Sequence, residues 1–222
     1  TFHATLERGG APTGGQLTFH ASEVPQTIPA TVAAVGVGPD VENWLKAHGV
    51  TLAENSRVIL AGDVSPDQRK QVLERVNQGS TAVFLNPGAF KDGDDETAQL
   101  PLKNKGRLTH FSDWLYHKEC VAKKHALFQG MQAPGVMDWD YYGPVISNLF
   151  FEGQDTPDDT AAAAFAVCHS SRPDGYAAGV MLGTYKVGAG RIVLNTFNIL
   201  DNVDRHPAAD RLLLNLVDYA GK

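Results

Sequence analysis

The stretch from residue 57 to residue 87 constrains the fold more than any other part of the sequence. It reads RVILAGDVSPDQRKQVLERVNQGSTAVFLNP, with two short apolar runs flanking an amphipathic segment. Ser65 can cap a helix here, Pro66 suits its first position and Gln68 completes a capping box. The inner face of the helix is predicted to consist of Val72, Leu73 and Val76. A strand, a helix and a strand joined by short loops predict a parallel, right-handed βαβ unit.

The residues before this unit begin the same alternation of strand and helix. Residues 30–38, ATVAAVGVG, form an apolar, β-branched run that predicts a buried strand. The following PDVENWLKAHGV predicts a helix with Pro39 in its first turn and Gly49 at its C-terminal cap. One face of this helix would carry Val41, Trp44, Leu45 and His48.

The C-terminal part predicts three more strands and a closing helix. The strands are expected at residues 161–171, 175–187 and 191–197, and the helix at 207–221. The buried stripe of that helix would consist of Leu212, Leu213, Leu216, Val217 and Ala220. These segments predict an α/β domain whose sheet is mostly parallel, carries helices on its faces and ends in an antiparallel hairpin.

Composition shifts divide the chain into regions. Residues 1–30 are rich in Gly, Thr and Pro, so we interpret them as a linker or β arm from a preceding domain. Residues 31–222 would form the α/β domain, with 88–160 as an irregular insertion. Because the chain starts at Thr1 without an initiator Met, we expect it to be processed or to be part of a longer protein.

The charge of the chain bears on its partners. The formal net charge is −6 and no Lys/Arg run is present, which argues against nucleic acid or an anionic membrane surface as the main partner. The longest apolar run is far shorter than a membrane span. We therefore expect neither nucleic acid nor membrane among the partners.

The glycines of KVGAGRI raise the question of a phosphate-binding loop. A dinucleotide-binding loop follows a strand and opens a helix, whereas Gly188 and Gly190 lie between two predicted strands. Val193 also stands where a third glycine would be needed. This context predicts a hairpin turn.

Neither a nucleophilic cysteine nor a metal centre has the sequence pattern it needs. Cys120 and Cys168 lack the flanking glycines of a nucleophile elbow and are expected to be buried thiols. The eight histidines form no H-x-x-x-H or H-E-x-x-H pair, and there is no C-x-x-C. His117 and His125 could converge with Asp138 and Asp140, but the spacing does not favour it. We expect no metal, no cofactor and no catalytic residue of these kinds.

The segment MDWDYYG suggests contact with a sugar. In an extended segment Asp138 and Asp140 would point the same way, with Trp139 opposed. Aromatic rings stack on the apolar face of a sugar, and carboxylates accept hydrogen bonds from its hydroxyls. The alternative is that Trp139, Tyr141 and Tyr142 pack this loop onto the domain.

Polar side chains also follow several predicted strands. Asp63, Asn86, Asn195 and Asn198 stand where strands end, and ligands of open parallel sheets bind at the carboxyl ends of strands. These residues could line a binding crevice. They could equally be turn and cap residues, the usual role of Asn and Asp.

Three stretches together resemble a known group of domains. Residues 56–87 resemble the second βαβ unit of class I glutamine amidotransferase-like domains, which have a flavodoxin-like fold. Residues 185–220, with GxGRI and RLLLNLVDY, and residues 116–143 resemble the same domain as found appended to large glycoside hydrolases. The resemblance covers roughly residues 30 to 220. It is closest to a C-terminal accessory domain of a glycoside hydrolase family 2, β-galactosidase-like protein.

This resemblance implies a fold and a role. The fold would be a three-layer, flavodoxin-like sheet, and the role that of a non-catalytic domain serving assembly, stability or glycan contact in a carbohydrate-active enzyme. Partners would be upstream domains of the parent chain, carbohydrate, and further copies in a homo-oligomer. The location would be periplasmic or extracellular if the parent degrades polysaccharides. The amidotransferase cysteine elbow is missing, so glutamine hydrolysis is not implied.

Two alternatives from other functional classes stay open. One is a small stand-alone hydrolase that uses His117, Asp138 and Asp140. The other is a sugar-binding module that uses Trp139, Tyr141 and Tyr142.

Overall fold

The computed structural model describes residues 2–4, 15–17, 27–111, 118–167 and 175–222. The described helices are α1 (Pro39–Ala47), α2 (Pro66–Asn77), α3 (Trp139–Tyr142) and α4 (Pro207–Ala220). The strands, in chain order, are β1 (Phe2–Ala4), β2 (Gly15–Leu17), β3 (Ala30–Val35), β4 (Val50–Leu52), β5 (Val58–Ala61), β6 (Thr81–Phe84), β7 (Lys105–His110), β8 (Lys118–Ala122), β9 (Gly135–Val136), β10 (Leu149–Gln154), β11 (Asp159–Val167), β12 (Tyr176–Val187) and β13 (Gly190–Asn195).

One large mixed sheet organises the α/β domain. Its main path runs β4-β3-β5-β6-β13-β12-β11-β8-β9, while β10 pairs with β12 and with β7. The strands from β4 to β13 are parallel to their neighbours. The pairs from β13 onward are antiparallel. The antiparallel part is therefore wider than the C-terminal hairpin that the sequence predicts.

Helices cover both faces of the parallel strands. Adjacent residues of a strand point to opposite faces, and two separate clusters of buried side chains result. Val32, Leu60 and Val83 pack with residues of α1 and α4, whereas Ile59 and Ala82 pack with residues of α2. The predicted arrangement of helices on both faces of the sheet is confirmed. Within the described residues, no helix has the length and apolarity needed to cross a lipid bilayer.

The helices predicted from caps and periodicity are confirmed. Both hydrogen bonds of the capping box are present in α2: the Gln68 amide donates to Ser65 Oγ at 3.2 Å, and the Ser65 amide donates to Gln68 Oε1 at 2.9 Å. Val72 and Val76 are buried, while Leu73 is half-buried. The predicted stripe of α4 is buried throughout.

Residues 88–160 are more regular than the sequence analysis suggests. They contain β7, β8, β9 and β10, and β10 pairs with β7 over most of its length. These strands show little alternation of apolar and polar residues, and β7 and β10 are stabilised by pairing with each other across about 45 residues of sequence. The description of this segment as irregular is corrected accordingly. The interpretation of residues 1–30 as an arm stays a prediction; β1 and β2 form a separate antiparallel pair there.

The predicted hairpin turn joins β12 to β13 through Gly188 and Ala189. Its two glycines lie against the end of α2. A Cβ on Gly190 would sit 2.1 Å from the carbonyl oxygen of Ser80 and 2.4 Å from that of Val76. The glycines of KVGAGRI therefore allow two backbones to approach closely.

Replacing Gly190 with alanine tests this packing. We expect Gly190→Ala to lower the free energy of unfolding by about 2 kcal/mol or more, because backbone atoms cannot move aside as a side chain can. Urea denaturation measures the effect. Gly221→Ala is the matched control, since its Cβ would meet its nearest neighbours at an ordinary 3.6 Å. Equal stability of the two variants would contradict the explanation.

Candidate functional site

A small crevice lies at the carboxyl ends of β5, β6 and β13. Its volume is about 190 Å³, and Asp63, Asn86 and Asn198 are among the residues that line it. The structure therefore brings together three of the four polar residues predicted at strand ends. What they can do there depends on which of their polar atoms are still available.

Asp63 and Asn86 bind each other across the crevice. The Asn86 side-chain amide donates to Asp63 Oδ1, and Asn86 Oδ1 accepts from the Gly88 amide at 2.9 Å. Through the second bond, Asn86 caps the short 3-10 turn at residues 87–90. Both ends of the Asn86 side chain are thus engaged within the protein.

Asn195 is fully buried and lies behind the crevice. Its Nδ2 donates to the carbonyls of Leu85 and Phe197, at 3.1 and 2.9 Å, and its Oδ1 accepts from the Phe197 amide at 3.1 Å. These three bonds join the ends of β6 and β13. Asn195 therefore satisfies backbone groups that would otherwise be buried without partners.

Asn198 is exposed and connects the crevice to a neighbouring segment. Its Nδ2 donates to the Pro144 carbonyl at 3.2 Å, and its backbone amide donates to the Val145 carbonyl at 2.9 Å. Residues 143–145 follow directly on α3, so this pair of bonds ties the MDWDYYG segment to the end of β13.

The MDWDYYG segment is helical where the sequence analysis expected it to be extended. Asp138 is the N-cap of α3, and its Oδ1 accepts from the Asp140 amide at 2.8 Å. This local bond stabilises a helical turn in place of an extended chain. The predicted alternation of the two carboxylates about Trp139 is therefore wrong. Both acidic residues are exposed.

The three aromatic residues of this segment have different environments. Tyr142 is completely buried, and its hydroxyl donates to the Gln132 carbonyl. Burial raises the pKa of Tyr142 well above its ordinary value. Tyr141 is half-buried, and its ring meets Tyr142 edge-on. Trp139, in contrast, has 58% of its surface exposed. Tyr142 anchors the turn to the core, whereas Trp139 projects from it.

The sequence analysis missed a hydrogen-bond network centred on Asp159. His125 Nε2 lies 2.6 Å from Asp159 Oδ2, while His125 Nδ1 accepts from the Leu127 amide at 3.1 Å. The Tyr219 hydroxyl reaches the same carboxylate oxygen at 3.4 Å. Because both nitrogens of His125 have protein partners, the network joins β11 to α4 and to the turn at residues 126–128. His125 therefore pairs with Asp159 rather than with Asp138 or Asp140.

Two predicted residues lie outside the described part of the chain, namely His117 and Cys168. Cys120 is described and is buried, as expected. Within the described ranges, no three His, Cys, Asp or Glu side chains come close enough together to hold a metal ion.

No family model and no curated protein matches the sequence. Solved structures to which the chain is similar include a ThuA-like protein and two β-galactosidases, all at low identity. A ThuA-like protein from Bacteroides uniformis has a TM-score of 0.49 at 9% identity, over 93% of this chain and 95% of that one. The β-galactosidase from Rahnella sp. R3 has a TM-score of 0.47 at 12% identity, over 88% of this chain and 32% of that one. The β-galactosidase from Bacillus circulans sp. alkalophilus has a TM-score of 0.39 at 13% identity, over 82% and 27%. The chain spans less than a third of the length of each β-galactosidase.

Removing the Asn195 side chain tests its structural role. We expect Asn195→Ala to lower the free energy of unfolding by about 3 kcal/mol, because three buried backbone groups lose their partners. Asn198→Ala removes an exposed amide of the same type and should cost less than about 1 kcal/mol. Urea denaturation of both variants gives the comparison. A loss at Asn195 no larger than that at Asn198 would show that the buried bonds contribute little.

The pH dependence of stability tests the Asp159 network. Burial alone raises the pKa of Asp159, but the hydrogen bonds and charges of His125 and Lys123 outweigh it and hold the pKa below its ordinary value of 3.8. A carboxyl with a lowered folded-state pKa stabilises the fold above the unfolded-state pKa, and this contribution is lost as the pH falls through the folded-state value. The stability difference between wild type and Asp159→Asn should therefore be largest near neutral pH and shrink below about pH 4.

Asp210 provides a control for which the expected pH dependence of stability has the opposite sign. Burial raises the pKa of this carboxyl. The stability difference between wild type and Asp210→Asn should therefore decrease as the pH rises through the acidic range. Thermal unfolding between pH 3 and pH 7 measures both differences. Parallel pH profiles for the two variants would contradict the assignment.

Proposed function

We propose that the chain is a non-catalytic accessory domain of a carbohydrate-active protein, with a flavodoxin-like, amidotransferase-like arrangement and a glycan contact at Trp139. The proposal that the domain is non-catalytic rests mainly on one observation. Polar side chains at the carboxyl ends of the central strands are engaged in bonds with the backbone or with each other. The carbohydrate context is supported by the sequence resemblance of residues 116–143 and 185–220.

The strand order supports the flavodoxin-like part of the proposal. Numbered by their appearance among the parallel strands, β4-β3-β5-β6-β13 run 2-1-3-4-5, the order of flavodoxin-like sheets. In such sheets ligands bind outside the carboxyl ends of the strands, where the crevice lies. The crevice volume of about 190 Å³ is below the roughly 300–1,000 Å³ of typical ligand pockets.

The turn after β6 supports the absence of an elbow nucleophile. An elbow holds its nucleophile on a sharp, strained turn between a strand and a helix. At this place the chain has Asn86, whose φ of −114° and ψ of 119° are ordinary extended backbone. An amide side chain bound to Asp63 and to the Gly88 amide is not a nucleophile. The alternative hydrolase based on Asp138 is disfavoured as well, because Asp138 caps α3.

The exposure of Trp139 supports the glycan contact. Its indole ring projects from a turn that Tyr142 fixes in the core, so stacking on a sugar would order little further structure. Asp138 and Asp140 stand on either side and are exposed, and carboxylates accept hydrogen bonds from hydroxyls. Aromatic and acidic groups on a fixed turn are suited to sugar recognition.

Two assays test the proposal. The chain is first incubated with p-nitrophenyl β-galactoside and, separately, with glutamine; we expect no turnover above the protein-free blank. Turnover that Asp63→Asn abolishes would overturn the non-catalytic role. The second assay is calorimetry with galactosides, glucosides and their oligomers. We expect saturable heat from at least one sugar. Trp139→Ala should lower the affinity for that sugar at least about tenfold, since a central aromatic residue commonly dominates such contacts.

Phe165→Ala is the matched control for the binding assay. Phe165 is also exposed, at 42%, but lies on β11. Its replacement should leave the binding of sugar unchanged. If Trp139→Ala and Phe165→Ala bind equally well, or if no sugar gives heat, the glycan contact is wrong. The non-catalytic role is then still judged by the first assay.

A further inference from the structure

A second and larger cleft lies at the opposite edge of the parallel sheet. It borders the amino ends of β5, β6 and β13, next to the β12–β13 turn and the end of α4. Its volume is about 420 Å³, within the usual range for small-molecule sites. It is thus more than twice as large as the crevice at the carboxyl ends.

The charge of this cleft is opposite to that of the chain as a whole. Four cationic residues line it: Arg57, Lys186, Arg191 and Lys222. None of the described residues lining it is acidic. In a chain with a formal net charge of −6, this is a local concentration of positive charge.

Carboxylates outside the cleft neutralise part of this charge. Lys222 Nζ lies 2.6 Å from Asp218 Oδ2. Lys186 Nζ lies 3.7 Å from Asp158 Oδ1, and both side chains are well exposed, so this pair is weak. Neither arginine has a carboxylate partner in the described part of the chain.

The two arginines are held differently. Arg191 is fixed: its Nε donates to Thr81 Oγ1 and its Nη2 to the Tyr219 carbonyl, both at 3.1 Å, and its guanidinium lies 5.1 Å from the centre of the Tyr219 ring. The Arg57 guanidinium is exposed and has no hydrogen-bond partner among the described residues. Its donors are therefore available to a ligand.

Backbone amides contribute little to binding here. The amides of Thr81, Ala189 and Gly221 all donate to carbonyls of the protein. The available donors are therefore cationic side chains. Guanidinium groups match the geometry of phosphate, sulfate and carboxylate oxygens, which they can bind through two parallel hydrogen bonds.

We infer that this cleft binds the oxyanion group of a small ligand, with Arg57 as the adjustable donor and Arg191 as a fixed source of positive charge. The site is separate from the glycan contact at Trp139 and does not depend on it. A competing explanation is that the cations only balance the negative carbonyl ends of α2 and α4. The two explanations differ in what Arg57 does. The Arg191 guanidinium donates to a carbonyl of α4, whereas the Arg57 guanidinium has no such partner among the described residues.

Calorimetry at low ionic strength tests the inference, with inorganic phosphate, sulfate and glucuronate as probes and glucose as the uncharged control. We expect saturable binding of at least one oxyanion and none of glucose. Arg57→Gln should weaken binding about five- to tenfold, the effect of losing one charge-assisted hydrogen bond. If phosphate or sulfate binds and glucuronate does not, the class of ligand is an ester of phosphate or sulfate. If glucuronate binds, the class of ligand is an acidic sugar.

Lys70→Gln is the control for the removal of one positive charge. Lys70 is an exposed residue of α2 outside the cleft, so its variant should bind like the wild type. Backbone amide resonances of residues 188–190 should shift on titration with the oxyanion that binds. The inference is wrong if no oxyanion binds saturably, if the two variants bind equally, or if Arg57→Gln changes only the unfolding midpoint.

Discussion

The hydrogen-bonded ladder between β6 and β13 is the contact on which the rest of the structure depends. β13 pairs in parallel with β6, from Arg191 opposite Thr81 to Leu194 opposite Phe84, and antiparallel with β12 on its other edge. It therefore joins the parallel and antiparallel parts of the sheet. Two features hold β13 in place. At its start, Gly190 lets the backbone at the end of α2 approach closely, and at its end the Asn195 side chain donates a hydrogen bond to the Leu85 carbonyl.

The same strand separates two regions of different chemistry. At its carboxyl end, amide and carboxylate side chains satisfy backbone groups and each other, which leaves a small crevice. At its amino end, cationic side chains surround a larger cleft. Arg191 is bonded within the protein there, whereas the Arg57 guanidinium has no partner among the described residues. Ligands of open α/β sheets usually bind at the carboxyl ends of the strands. In this protein the more available donors lie at the other edge.

Local signals predicted a large part of the fold. The caps and periodicity of α1, α2 and α4 depend on residues within a few positions of one another, as does the β12–β13 turn, and all four were predicted correctly. β7 and β10 were missed because each is stabilised by a distant partner. The ends of the predicted strands placed Asp63, Asn86 and Asn198 at the crevice. The hydrogen bonds that these side chains form could not be predicted in the same way. Asp138 was misjudged because an N-cap bond overrode the extended pattern. His125 with Asp159, and Arg57 with Arg191, are too far apart in the chain for any spacing to reveal them.

The position of β13 has a consequence for how the chain is made. Because ribosomes build proteins from the amino end, β5 and β6 emerge long before residues 190–195. During that interval β6 lacks the neighbour that covers its outer edge, and its Ala82, Val83 and Phe84 are apolar. An unpaired apolar edge can pair with a strand of another molecule. Nascent chains, and any shortened version that stops before Gly190, are therefore the forms of this protein most exposed to aggregation.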